Sequence, residues 1–226
     1  DARDISSAAF KTDRIQYHDG RFKSVDNYSY IIIRNEAIPI NVYIGVDIAA
    51  TATEKSDFQV IMVIGVDSNK NRYVLEYYRE RIPTFDLPEE IIKMARKYSP
   101  VRRVTIETVA AQEMVRDMVT RMASDDRRLI PGIFKGVKPP AGIKKADRLE
   151  TSLGPIVNSK KLYIRREMTE LVDEMFEHPV PKNDDLMDGL YYADYYSKAP
   201  LSSSISVTEM RSGKKGGSKI KGYYNW

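Results

Sequence analysis

The sequence predicts an α/β domain built on a mixed sheet with helices packed over it. Two features of order carry that expectation. Three apolar, strand-like runs follow one another through short connections, and downstream of them strand-like and helix-like periods alternate. At 226 residues, 42% hydrophobic and 30% charged, the chain holds one well-filled core of ordinary single-domain size.

Residues 1–39 mix short apolar runs with polar breaks, with Tyr30-Ile31-Ile32-Ile33 the best-formed run, and read as a linker or edge segment. The domain proper spans residues 40–199. Val42 to Asp47, Phe58 to Val66 and Arg72 to Arg79 are three strands, the last two divided by the turn cluster Asp67-Ser68-Asn69-Lys70-Asn71. Such a series is most simply an antiparallel meander. Asp86-Leu87-Pro88-Glu89 supplies a cap, an early Pro and an acid in the first turn, opening a helix through Ile91, Ile92, Met94 and Ala95 that stops before Pro100. Arg103 to Glu107 is a β-branched strand, and Ala110 to Ala123 a helix with Met114, Val115, Met118, Val119 and Met122 on one face. Leu129 to Phe134 is expected as the fifth strand. Helices over Lys145 to Leu153 and Glu167 to Phe176 flank a strand-like Lys161-Leu162-Tyr163-Ile164, and a last helix runs from Asp184 to Ser197. Residues 200–226 turn to Ser, Gly and Lys and read as a flexible basic tail.

Composition excludes several chemistries. Zero cysteines rule out disulfides, thiolate metal sites and a cysteine nucleophile. With His18 and His178 the only histidines, a divalent metal would rest on oxygen ligands. No apolar run of about 18 residues exists and no signal-peptide pattern opens the chain, so a soluble, intracellular protein is expected. The formal charge is only +4, but Lys135 to Arg166 carries nine bases against Asp147 and Glu150, which suits a polyanion partner.

Acids recur at element ends. Asp47 closes the first strand of the meander and Glu107 the strand after the first helix, each in an otherwise apolar run. A charge there either faces solvent or coordinates something, because burying it unpaired is costly. If the two strands are parallel neighbours, both carboxylates emerge together and repel unless a cation lies between them. A third group, Asp184-Asp185-Leu186-Met187-Asp188, opens the last helix; Asp188 shares a face with each of the other two, and the helix dipole alone accounts for at least one of them. An all-oxygen cluster of this kind suits Mg²⁺ or Mn²⁺.

Gly45-Val46-Asp47-Ile48-Ala49, Thr105-Ile106-Glu107-Thr108 and Asp184-Asp185-Leu186-Met187-Asp188-Gly189-Leu190, in this order, resemble the C-terminal nuclease domain of tailed-bacteriophage terminase large subunits. The resemblance implies an RNase H-like, RuvC-like fold, a mixed five-stranded sheet with three antiparallel strands followed by two parallel ones, flanked by helices. It implies a metal-dependent endonuclease that cuts concatemeric double-stranded viral DNA during genome packaging. Asp47, Glu107 and Asp185 would be the principal metal ligands and catalytic acids, with Asp184 or Asp188 auxiliary. Two Mg²⁺ or Mn²⁺ ions about 4 Å apart would activate the attacking water and stabilise the leaving 3′-oxygen. Partners would be DNA, the terminase small subunit and the portal protein, in the host cytoplasm. Residues 1–39 would connect to an ATPase domain, since this chain has no Gly-x-x-x-x-Gly-Lys-Ser/Thr phosphate loop.

The basic stretch then finds a use. Lys144, Lys145, Arg148, Lys160, Lys161, Arg165 and Arg166 are expected to hold DNA phosphates with little base discrimination. Tyr191, Tyr192, Tyr195 and Tyr196 are expected to pack the last helix, and Thr51, Thr53 and Lys55 to be loop polarity near Asp47. Three rival readings stand beside this one. They are a junction resolvase or transposase of the same topology, an actin-like ATPase that shares the Gly-x-Asp strand but needs further Gly-rich phosphate loops, and a non-catalytic nucleic-acid-binding module.

Overall fold

The computed structural model describes residues 9–49, 58–108, 113–181, 184–201 and 205–206. Its strands are β1 (Gln16–Tyr17), β2 (Arg21–Val25), β3 (Tyr28–Ile33), β4 (Glu36–Asp47), β5 (Gln59–Val66), β6 (Arg72–Glu80), β7 (Val101–Glu107), β8 (Phe134–Val137), β9 (Leu162–Ile164) and β10 (Ile205–Ser206). The helices are α1 (Leu87–Lys97), α2 (Glu113–Ser124), α3 (Lys145–Asn158), α4 (Thr169–Glu177) and α5 (Asp185–Asp194). Thr51, Thr53, Lys55, Ala110 and most of the basic tail lie outside the described residues.

The expected five-stranded mixed sheet is found, in the order β6-β5-β4-β7-β8. β4, β5 and β6 form the antiparallel meander, while β7 lies parallel to β4 and β8 parallel to β7. β9 and then β1 extend the β6 edge in parallel. The segment expected as a linker or edge contributes this β1 together with β2 and β3, which pair in series with the first half of the long β4. Their turns, Asp26-Asn27 and Arg34-Asn35, have positive φ at both residues, the geometry that matches strand twist in a two-residue hairpin. Ahead of β1, Phe10 and Ile15 are buried, and Lys11, Arg14 and Ala9 bond Asn158 at the end of α3.

Two departures from expectation have local causes. Pro131 lacks the N–H a ladder needs, so Pro131–Ile133 makes a 3₁₀ turn and the strand expected from Leu129 begins only at Phe134. The α2 face that packs inward is Val115, Val119 and Ala123, whereas Met114 is exposed.

The sheet divides the core. Ile44, Val46, Ile61, Val63, Val104 and Ile106 pack against α1 and α2, while Tyr43, Val60, Met62, Ile64 and Val74 pack against α3, α4 and α5. Helix α5 lies directly on β4 and β5. A Cβ at Gly45 would fall 2.1 Å from the Gly189 carbonyl and 2.2 Å from the Ala193 nitrogen, and one at Gly189 would fall 2.7 Å from Val60. Gly45 is therefore required by the close approach of the helix backbone, and Gly189 by the Val60 and Met62 side chains beneath it. Glycine inside a helix costs about 1 kcal/mol relative to alanine, so Gly189 is there for this contact and against helix propensity.

Gly45→Ala is expected to force α5 off the sheet and destabilise the domain by about 1–3 kcal/mol, the usual cost of overpacking. Urea denaturation with an unchanged midpoint would show that the helix does not seat there.

Candidate active site

The site begins with strand pairing. β4 and β7 run parallel with Val46 opposite Ile106, so Asp47 and Glu107, one residue further on, leave the sheet side by side at the carboxyl ends of adjacent strands. Just past Asp47 the chain is fixed by the buried Gln59, whose carbonyl accepts the Ala49 N–H at 3.1 Å. On the far side of Glu107, the Thr108 N–H donates to Val137 O at the end of β8.

Helix α5 brings the third acid. Its first turn lies over the sheet with Asp188 2% exposed, and Asp188 is the aspartate whose charge acts on Asp47. The Asp47 carboxyl is held well above the usual carboxylate range, first by burial, then by Asp188, by its hydrogen bond to Glu107 and by Glu107's charge, with Lys145 pulling the other way. Asp188 is itself raised by burial, against the opposing pull of Lys145 and Arg148. Acids so crowded need a proton or a cation among them.

That positive charge comes from α3. Arg148 donates to Asp188 Oδ1 at 2.6 Å, and Lys145 contacts Asp188 Oδ2 while bonding Asp184 Oδ1 at 2.8 Å. Burial works against the Lys145 ammonium, but Asp188 and Asp184 outweigh it and hold its pKa above the ordinary value. Arg148 also lies 4.8 Å from the Tyr191 ring and 5.8 Å from that of Tyr192. Tyr192 is fully buried, and burial followed by the charge of Glu107 keeps its hydroxyl protonated.

Asp185 meets β6. Its carboxylate stands 3.5 Å from Arg79 on β6, which also reaches Glu174 at 3.5 Å and Glu170 at 3.3 Å on α4. The geometry thus sets Asp188 near the hydrogen-bonded pair of Asp47 and Glu107, with Asp184 tied to Asp188 through Lys145, and pairs Asp185, one helical turn from Asp188, with Arg79. Among the described residues no three acids or histidines are grouped closely enough to hold a metal ion as they stand. Both histidines serve the scaffold. His18 bonds Val74 O at 3.1 Å, and His178 bonds Glu150 at 2.9 Å beneath Phe10.

The basic stretch divides in two. Lys145 and Arg148 are in the site and Lys144 is exposed beside it. Lys160 and Lys161 precede β9, whose Leu162 pairs with Arg72 at the start of β6. Asp47 is instead level with Arg79 near the end of β6, a separation of about 20 Å along the strand. Arg165 bonds the carbonyls of Gly20 and Leu75, and Arg166 stacks on Tyr17. These four do not join the acid site. Of the tyrosines, Tyr191 and Tyr192 pack as expected, whereas Tyr195 and Tyr196 are exposed and Arg103 lies over Tyr196.

Sequence reasoning missed Arg79, Glu174, Gln59 and the role of Tyr192. Arg79 was hidden by a register shift in the β5–β6 ladder. Val63 pairs with Glu76 but Ile64 with Val74, leaving Leu75 extra, so Tyr77 and Arg79 turn to the α5 face. Strict alternation from Val74 would have placed Glu76 and Tyr78 there.

An antiparallel and parallel mixed sheet with acids at the carboxyl ends of its adjacent parallel strands, met by an acid from a covering helix, is the RNase H-like class of α/β domain. Residues 44–193 match the family described as the terminase RNaseH-like domain, and the chain belongs to that family. The fold is that of the large terminase nuclease from thermophilic phage G20c (TM-score 0.57, 11% identity, covering 84% of this chain and 99% of that one). A second structure of that nuclease, with bound zinc, matches at TM-score 0.56 and 13% identity over 84% and 99% of the two chains. The P22 large terminase nuclease domain matches at 0.54 and 14% over 84% and 91%. No curated protein matches the chain by sequence. Among the described residues no helix is long and apolar enough to cross a membrane.

Glu174 gives the site a pH signature. Burial, countered by the Met187 N–H and Arg79, pushes its carboxyl up to about 8 from an ordinary 4.5. In that interval the folded state keeps a proton that the unfolded state has lost, so this group's stabilising contribution falls as pH rises from about 4.5 to about 8. Urea midpoints measured across the interval are expected to decline less steeply in Glu174→Gln than in the parent protein; identical slopes would contradict the assignment.

Proposed function

We propose that this chain is a divalent-metal-dependent endonuclease that cuts double-stranded DNA, and that its substrate is concatemeric viral DNA cut during genome packaging. The observation that supports the reading is a terminase-family fold in which Asp47 and Glu107 share a hydrogen bond at adjacent strand ends, within reach of the charge of Asp188. The chain lacks a phosphate-binding loop of the motor type, so we assign to it the cutting step. In that setting its protein partners are the terminase small subunit and the portal protein, in the host cytoplasm.

The donor set fits hard cations, since every candidate ligand is a carboxylate oxygen and the acids already repel one another. Asp47, Glu107 and Asp188 would hold Mg²⁺ or Mn²⁺, with Asp184 and Asp185 on either flank of the same turn. Bound there, a pair of such ions would lower the pKa of an attacking water and offset charge on the phosphate and the leaving 3′-oxygen. The chain's own residues do the rest. Glu107 and Asp47 fix the spacing of the donors through strand register, and buried Tyr192 excludes water behind Glu107. Arg148 and Lys145 hold Asp188 in place. Lys145 is partly exposed and Lys144 exposed beside it, so these two ammonium groups are the ones a polyanion backbone would meet. Arg165 is committed to backbone carbonyls and Arg148 to Asp188, so Lys144 and Lys145 are the DNA-contacting bases of this reading.

Supercoiled plasmid is expected to be nicked and linearised by the protein with Mn²⁺ and left intact with EDTA. Asp47→Ala and Asp188→Ala should each lower the rate by at least about 10³-fold, since each removes a donor on which transition-state charge stabilisation depends. Equal nicking by parent and variants would assign the activity to a contaminant and end the proposal.

A further inference from the structure

Across the sheet, Asp47, Val60 and Arg79 form one row, Asp47 paired with Val60 and Val60 with Arg79. Directly opposed residues of antiparallel strands point to the same face, so Asp47 and Arg79 both face α5, about 10 Å apart across two strand spacings. The first turn of α5 lies over this row, with Gly189 against Val60 in the middle. Asp185 and Asp188 are three apart and straddle it: Asp185 reaches Arg79 on the β6 side, and Asp188 lies with Lys145 and Arg148 on the β4 side.

Arg79 is well enclosed. Its side chain is 9% exposed and its guanidinium sits 4.2 Å from the Phe58 ring, which Arg81 also approaches at 4.1 Å. It contacts three carboxyls from two helices, Glu170 and Glu174 of α4 and Asp185 of α5. Glu174 in turn accepts the Met187 N–H at 3.0 Å, inside the same α5 turn and one residue before Asp188. Tyr77, beside Arg79 on that face, donates to Glu170 at 3.0 Å. A guanidinium presents five donors in a planar fork, whereas an ammonium on the same stem is a point charge with a shorter reach.

We propose that Arg79 is a positioning residue: through Asp185 and through Glu174 on the Met187 N–H, it sets the height and rotation of the α5 first turn and so the placement of Asp188 against Asp47 and Glu107. This rests on the metal-nuclease reading above and deepens it. Asp185 then acts as the link between α5 and β6 by way of Arg79, while Asp188 is the aspartate that meets the strand acids. The extra residue in β6 that turns Arg79 to this face is the feature of the fold that makes the link possible.

The test compares Arg79→Met and Arg79→Lys with the parent chain by Mn²⁺ titration read by electron paramagnetic resonance, by amide exchange at residues 185–188, and by thermal melting. In folded Arg79→Met, Mn²⁺ affinity is expected to fall about 10- to 100-fold, the usual effect of removing a group that orients metal ligands. Exchange in the α5 turn should accelerate, and Arg79→Lys should lie between the two. Folded Arg79→Met with parental Mn²⁺ affinity and parental exchange would overturn the proposal, even if its melting temperature had dropped, because that is the result of a merely structural role. If Arg79→Met does not fold, Arg79→Lys decides: parental affinity and exchange overturn the proposal, and a several-fold loss with faster exchange supports it. Should the parent chain bind no Mn²⁺ that Asp47→Asn abolishes, the nuclease reading fails instead, and amide exchange alone still decides whether Arg79 orders the turn.

Discussion

Two carboxylates side by side at the edge of an apolar sheet are unstable neighbours, and much of this domain is arranged around that fact. Parallel pairing of β4 with β7 puts Asp47 beside Glu107 without any choice of rotamer, and α5 adds Asp188 to the same space. The crowding raises the Asp47 carboxyl well above the usual carboxylate range and draws in the cations of Lys145 and Arg148 from α3. On the proposed nuclease reading, metal ions and a phosphate would take over from these counter-charges, since both answer to the same excess of negative charge.

Placing the third acid is a packing problem before it is an electrostatic one. Helix α5 can reach Asp47 only by lying directly against β4 and β5, and two glycines, one on each element, remove the side chains that would prevent it. With the helix that close, its rotation decides which aspartate meets the strands. Asp185 meets Arg79 at the β6 end of the Asp47–Val60–Arg79 row and Asp188 acts on Asp47 at its β4 end, so the buried arginine and the strand acids engage the same turn.

Much of this was legible in the sequence. The meander, the alternation after it and the acids at strand ends follow from apolar period and length, and the order of the three acidic motifs gave the family. What escaped was set by local chemistry that pattern reading weighs poorly. The Asp26-Asn27 and Arg34-Asn35 hairpins lack the glycine that usually marks such turns, so β2, β3 and the start of β4 merged into a supposed linker or edge. Pro131 delayed β8. Within the helix motif, sequence spacing could not say which aspartate faces the strands, because that depends on how α5 sits on Gly45. The bulge in β6 that turns Arg79 inward leaves no trace in hydrophobic period. Basic residues close in sequence were read as one patch, yet α3 carries Lys145 to the acids while β9 carries Lys160 and Lys161 to the opposite end of the sheet.

The central claim is that Asp47, Glu107 and Asp188 form one pocket for hard cations. Its most direct test is a crystal of the protein soaked in Mn²⁺ and read by anomalous scattering. A peak is expected about 2 Å from carboxylate oxygens of Asp47, Glu107 and Asp188, with Lys145 drawn away from Asp188. A Mn²⁺ peak seated elsewhere, with Lys145 still bound to Asp188, would contradict it.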